Sequence, residues 1–224
     1  MIKAIVFDAY GTLISTGTGS VDATREILKK RGREDIDAAK FYSDWKKYHR
    51  LHINGLQSFI SEEQIFRIDL CALYKDYEIY GDAETDAEIM LATLGKRKAF
   101  DEVKGVLESL SRRFIICVGS TTDTEPLKRD VKNNKLPIKR IYTSESLRVY
   151  KPKKEFYQAI ADDLKIAAGE LLFVGDSLTD DVFGPSQIGM KTCFVDRRSV
   201  GVTDIKPDYT IRSLDEIFSI VDKI

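Results

Sequence analysis

Little in this chain invites a disulfide, a membrane or a nucleic acid. Its three cysteines, Cys71, Cys117 and Cys193, lie far apart, each among apolar residues. An odd count excludes a fully paired disulfide framework, and no CxxC or Cys/His spacing offers a zinc site. The thiols are therefore expected to be reduced, to pack in a core, and to belong to a cytoplasmic protein. Long hydrophobic runs are missing too, since no stretch approaches the ~18 apolar residues that span a bilayer. The opening run, Met1 to Phe7, stops at Asp8 without a small-residue cleavage site, which reads against a secretory signal. Nor does one sign of charge dominate: 35 Lys plus Arg oppose 36 Asp plus Glu, for a formal net charge of -1. Neither nucleic acid nor a membrane surface is expected as a partner. Histidine is scarce, with only His49 and His52, and no partner for either is visible in the sequence.

What is present is a rhythm of strands and helices. Ile2 to Phe7 is an apolar, β-branched run with a single lysine, the pattern of a strand buried on both faces. Phe114 to Val118 and Leu171 to Val174 repeat it, closing on Gly119-Ser120 and Gly175-Asp176, and Lys191 to Val195 closes on Asp196. Arg140 to Tyr142 is a weaker candidate. Asp101 to Ser111 and Lys154 to Leu164 carry helix-period apolar residues. This alternation predicts a doubly wound, Rossmann-like parallel sheet, in which ligands sit beyond the carboxyl ends of the strands. Residues 17–97 break the rhythm. They offer no strand run but four amphipathic helices, Val21 to Lys30, Ala38 to Leu51, Glu62 to Tyr77 and Asp86 to Leu94, separated near Gly32, Gly55 and Gly81. A helical insertion after the first strand is the simplest account, with residues 1–16 and 98–224 as the core.

Phe7-Asp8-Ala9-Tyr10-Gly11-Thr12-Leu13 places an acid at a strand end, then a glycine able to turn sharply and a threonine whose hydroxyl can orient a carboxylate. Alone, Asp8 is a nucleophile, a metal ligand or a plain helix cap. Ser120-Thr121, Lys151 and Gly175-Asp176-Ser177-Leu178-Thr179-Asp180-Asp181 converge on the same crevice. These four motifs, in this order and spacing, resemble those of the haloacid dehalogenase superfamily of hydrolases, and the resemblance covers nearly the whole chain.

The resemblance implies an α-helical cap inserted just after the first motif and covalent catalysis, with Asp8 attacking phosphorus or carbon and water hydrolysing the ester. It implies that Lys151 offsets charge, that Ser120 and nearby amides hold an anionic oxygen, and that Thr12 and Asp181 complete the catalytic set. Tyr10, Gly11 and Thr121 would line the substrate. The details diverge between two branches. Phosphatases of the superfamily carry a second Asp two residues after the nucleophile, where this chain has Tyr10. Asp-Ala-Tyr-Gly-Thr-Leu is similar instead to the 2-haloacid dehalogenases, whose halide needs no proton, and Tyr157 matches a tyrosine of their site. Asp176, by contrast, matches the magnesium ligand of the phosphatases. Mg2+ held by Asp8, Asp176 and the Tyr10 carbonyl would relieve the crowding of carboxylates. In the cap, Lys46 after Trp45 stands where dehalogenases have arginine, keeping the charge but losing the fork.

Three functions stay open: a magnesium-dependent phosphohydrolase of a small metabolite, favoured for leaving groups that need little protonation; a metal-free 2-haloacid dehalogenase; and an inactive relative that binds phosphate. The expected partner is a small anionic substrate, a phosphate or carboxylate, and the chain is expected as a monomer or homodimer.

Overall fold

The computed structural model describes residues 1–201 and 204–223. They divide into two compact units, Met1–Ser15 with Lys98–Ile224, and Thr16–Arg97.

The first unit is built on a six-stranded, wholly parallel sheet. Its strands are β1 (Ala4–Phe7), β2 (Ile115–Ser120), β3 (Arg140–Thr143), β4 (Leu171–Gly175), β5 (Lys191–Val195) and β6 (Tyr209–Ile211), in the order β3-β2-β1-β4-β5-β6. The Rossmann-like doubly wound core is therefore present. β6 has no counterpart in the sequence reading, because three residues are too short to show a period.

Side chains alternate along each strand, so every strand feeds two cores. Ile5 and Phe7, Ile116 and Val118, and Leu172 and Val174 pack on one face with α5 (Val103–Leu110) and α6 (Thr124–Asn133). Ala4, Val6, Cys117, Leu171 and Phe173 pack on the other with α8 (Lys154–Leu164). Phe7, Phe156 and Phe173 are wholly buried, and each such side chain contributes roughly 1.5–3 kcal/mol. Central placement of β1 follows from this: a strand apolar on both faces is excluded from an edge. Cys117 and Cys193 are buried, which pushes both thiols up to about 12, so they are inert packing residues.

The second unit is helical: α1 (Gly19–Lys30), α2 (Ala38–Gly55), α3 (Glu62–Asp76) and α4 (Ala83–Leu91). Asp37 caps α2, accepting from the Lys40 amide at 2.6 Å, and Ser61 with Gln64 forms a capping box at α3. Phe41, Trp45, Leu70 and Leu73 form its core, so Trp45 is a packing residue. The chain leaves and re-enters the first unit at a closed neck, where the Ser15 amide donates to the Lys98 carbonyl at 2.8 Å. Among the described residues, no helix is long and apolar enough to cross a membrane.

Candidate active site

Three strand ends and one loop bring the chemistry together. Asp8 follows the last paired residue of β1, and its amide donates to the Val174 carbonyl on β4 at 2.8 Å. Ser120 ends β2 and is buried. Gly175 ends β4, with Asp176 next in the chain. Lys151 arrives on the loop between α7 (Ser144–Leu147) and α8.

The centre is an ammonium between two carboxylates. Lys151, 1% exposed, donates to Asp8 Oδ1 at 2.9 Å and to Asp181 Oδ1 at 2.8 Å. Its Nζ lies 4.7 Å from the centre of the Phe173 ring, so water is kept from one side of the charge. The second Asp181 oxygen accepts from the Ser177 amide at 2.9 Å. Asp8, Asp176 and Asp181 each offer an oxygen within 4.8 Å of the others. A Cβ on Gly11 would stand 2.3 Å from Asp176, and one on Gly175 would stand 2.3 Å from Asp181. Gly11 also has φ +97°, which other residues seldom adopt.

Electrostatics of the cluster argue for a cation. Burial lifts Asp8 above the ordinary carboxylate range, with Lys151 opposing and Asp176 reinforcing the rise. Burial and then Asp181 push Asp176 up to about 6, and burial pushes Asp181 up to about 7 against the pull of Lys151. Burial depresses Lys151, but Asp181 and Asp8 outweigh it and hold it above the usual lysine range. Three carboxylates thus face one buried ammonium, with the exposed Arg198 guanidinium 4.0 Å from Asp176 offsetting part of the charge. A hard divalent cation with oxygen ligands fits this donor set and removes the repulsion.

Other expected residues sit elsewhere. Tyr157 is wholly buried, and its hydroxyl donates to the Asp180 carbonyl, which gives it a structural bond beside Asp181. In a regular α-helix that carbonyl would receive the Gly184 amide. A Cβ on Gly184 would lie 2.1 Å from the hydroxyl, and the intruding phenol accounts for the π-turn at Leu178–Phe183 that carries Asp181. Among the described residues the Thr12 hydroxyl has no hydrogen-bond partner, so it orients no carboxylate; the Thr12 carbonyl is the bonded group, accepting from Arg197 at 2.9 Å. Tyr10 donates its hydroxyl to the buried Asp130 of α6 at 2.9 Å. Thr121 is partly exposed just past β2. Asp180 is buried in the first turn of the Leu178–Phe183 segment, its amide donating to the Ser177 hydroxyl at 3.1 Å. In the helical unit Lys46 is exposed on α2, 5.2 Å from the Tyr42 ring. The histidines do have a partner: His49 and His52 both contact the fully buried Asp69, at 2.8 and 2.5 Å through Nδ1.

A family model for haloacid dehalogenase-like hydrolases matches residues 2–189. The chain belongs to this family. Haloacid dehalogenase-like hydrolases similar to it span both branches of the chemistry. The putative HAD-hydrolase YfnB of Bacillus subtilis is 34% identical over 98% of this chain and 95% of that protein. Its crystal structure, bound to magnesium, superposes with a TM-score of 0.82 over 99% of each chain, at 21% identity between superposed residues. The pyrimidine 5'-nucleotidase PynA of Streptococcus pneumoniae is 23% identical over 99% of this chain and 95% of its own. The L-2-haloacid dehalogenase of Xanthobacter autotrophicus shares the fold, with a TM-score of 0.81 and 20% identity over the whole of both chains. The chain is therefore a hydrolase of this superfamily.

Proposed function

We propose that this hydrolase is a magnesium-dependent phosphohydrolase of a small phosphorylated metabolite, with residues 17–97 as its cap. The observation that carries this reading is the trio Asp8, Asp176 and Asp181 within 4.8 Å of one another. A metal-free site for an anionic carboxylate has no use for three acids against one buried lysine, and the exposed Arg198, 4.0 Å from Asp176, offsets only part of the excess. Asp8 and Asp176 would hold the magnesium, together with the Tyr10 carbonyl, and the ion would neutralise charge on the phosphoryl oxygens.

Lys151 occupies Asp8 Oδ1, which leaves Oδ2 as the attacking oxygen. The Asp8 oxygen bonds to phosphorus as the bond to the leaving oxygen breaks, giving an aspartyl phosphate. Water then cleaves the acyl phosphate, releasing inorganic phosphate and regenerating the carboxylate. The Ser120 hydroxyl and the amides past Asp8 bind the phosphoryl oxygens. The Tyr10 phenol is engaged by Asp130, so substrates whose leaving groups need little protonation, such as acyl and aryl phosphates, suit the site.

Tyr10 also favours a second reading, hydrolysis of 2-haloacids, because halide departs without a proton. One assay separates them: an acyl phosphate and an aryl phosphate, each with magnesium or excess chelator, beside L-2-chloropropionate, with Asp8→Asn as control. Magnesium-dependent phosphate release that vanishes in Asp8→Asn is the expected result. Chelator-insensitive halide release without phosphatase activity would overturn it.

A further inference from the structure

The nucleophile loop is held from outside by a residue with no place in the four motifs. Arg197 follows β5 by two residues, and three contacts fix its guanidinium. It lies 3.8 Å from the centre of the Phe100 ring, it pairs with Glu102 at 2.6 Å, and its Nη2 donates to the Thr12 carbonyl at 2.9 Å. Its side chain is only 16% exposed. The turn that presents it is itself built: Asp196 accepts from the Val200 and Gly201 amides, each at 2.8 Å, closing the chain around residues 197–199.

The loop it grips folds back on itself. The Leu13 and Ile14 amides donate to the Ala9 carbonyl at 2.9 and 2.8 Å, and the Gly11 amide donates to the Ile14 carbonyl at 2.8 Å. Outside groups also hold it: the Phe100 amide donates to the Leu13 carbonyl at 3.1 Å and the Tyr10 hydroxyl to Asp130 at 2.9 Å, which leaves the Thr12 carbonyl at the tip to be fixed. A charged donor on the Thr12 carbonyl ties it to β5, and the stack on Phe100 and the ion pair with Glu102 anchor the donor to the segment ahead of α5. Tilting would move the Asp8 carboxylate and the amides beside it together.

We infer that Arg197 is a positioning residue for the nucleophile, clamping the Asp8–Ile14 turn through the Thr12 carbonyl. The inference rests on Asp8 as nucleophile and holds for phosphoryl transfer and dehalogenation alike. Neither Arg197 nor Glu102 touches the reacting atoms; the clamp acts on geometry.

Arg197→Met keeps an apolar stem against Phe100 and removes the donor, while Arg197→Lys restores one donor and the charge. Turnover is measured with magnesium on whichever substrate the parent accepts. Amide hydrogen exchange is followed in the same proteins. Removing a charged donor is expected to lower kcat about 10- to 100-fold, with KM within about threefold and Arg197→Lys recovering part of the loss. Exchange at Gly11, Leu13 and Ile14 is expected to quicken at least about tenfold while amides of β2 and β4 keep their rates, a confinement that general destabilisation would not give. Unaltered loop exchange, or exchange rising equally through β2 and β4, would overturn the clamp, as would parental kcat in Arg197→Met. If the parent turns over no substrate, the proposed function has failed, and exchange in the loop still decides the clamp.

Discussion

Asp176→Asn turns the charge crowding of the pocket into a measurable stability. Burial and Asp181 move Asp176 from 3.8 to about 6, roughly two units at about 1.4 kcal/mol each. Between those values the folded chain binds more protons than the unfolded one, so its stability falls as pH rises through the window. Above about pH 6 the deficit is complete, at most about 3 kcal/mol. Asparagine removes the charge and with it the deficit. In chelator at pH 8, the variant is expected to be more stable than the parent by about 1–3 kcal/mol, or a few degrees in Tm for a chain of this size. The gap should close as pH falls toward 4. If the proposed magnesium site is real, the ion is expected to reverse the ranking: at one hundred times its Kd it would add about 2.7 kcal/mol to the parent, and much less to a variant missing one of the acids. Urea melts at pH 8 and pH 4.5, with and without magnesium, measure all of this. A variant less stable than the parent at pH 8 in chelator, or a gap indifferent to pH, refutes the reasoning.

Tyr10→Phe leaves the buried Asp130 carboxylate short of a donor, at an expected cost of about 1–3 kcal/mol read from the urea midpoint. A Tyr10→Phe midpoint equal to the parent's would show that Asp130 draws nothing from the phenol. Gly175→Ala drives a Cβ into Asp181, which stands 2.3 Å from that position, so the pair with Lys151 must shift. The expected loss is at least about 100-fold in kcat. Gly105→Ala, on α5 with nothing within 4 Å of the added methyl, is the control and should gain about 0.5–1 kcal/mol from helix propensity.

The parts of this molecule that depend on neighbours in sequence were legible from it. Lys191–Val195 and Lys154–Leu164 have the bounds their patterns predict, because a short Cys-Phe-Val apolar run closing on Asp196 and a 3.6-residue apolar period leave little competing structure. α6 escaped because Leu127 and Val131 are almost its only buried apolar side chains; Asp123 and the early Pro126 were the signals of its start. Motif spacing brought Asp8, Lys151, Asp176 and Asp181 to one place, and the structure sets them together. The bond from Tyr157 to the Asp180 carbonyl was not legible, because sequence gives a side chain's place in the chain, not the direction it takes through a core. The Tyr10–Asp130, His49–Asp69–His52 and Arg197–Thr12 contacts join residues with no shared motif, and no local pattern announces them. Arg197 and Arg198, with only Asp196 between them and the end of β5, were the one hint of the last.

The strand order has a consequence for how such a chain matures as it is made. β1 is made before either of its partners, β2 on one side, Ala4 against Ile115, and β4 on the other, Ala4 against Leu171. Its two flanks therefore arrive long after it, with the helical unit Thr16–Arg97 made in between. Until Leu171 to Asp181 have left the ribosome, Asp8 lacks the neighbouring strand that holds its amide, Lys151 lacks its second acid, and the trio of carboxylates does not exist. A nascent chain of this topology carries an apolar first strand that must wait for its neighbours, which makes that strand the segment most in need of shelter during synthesis.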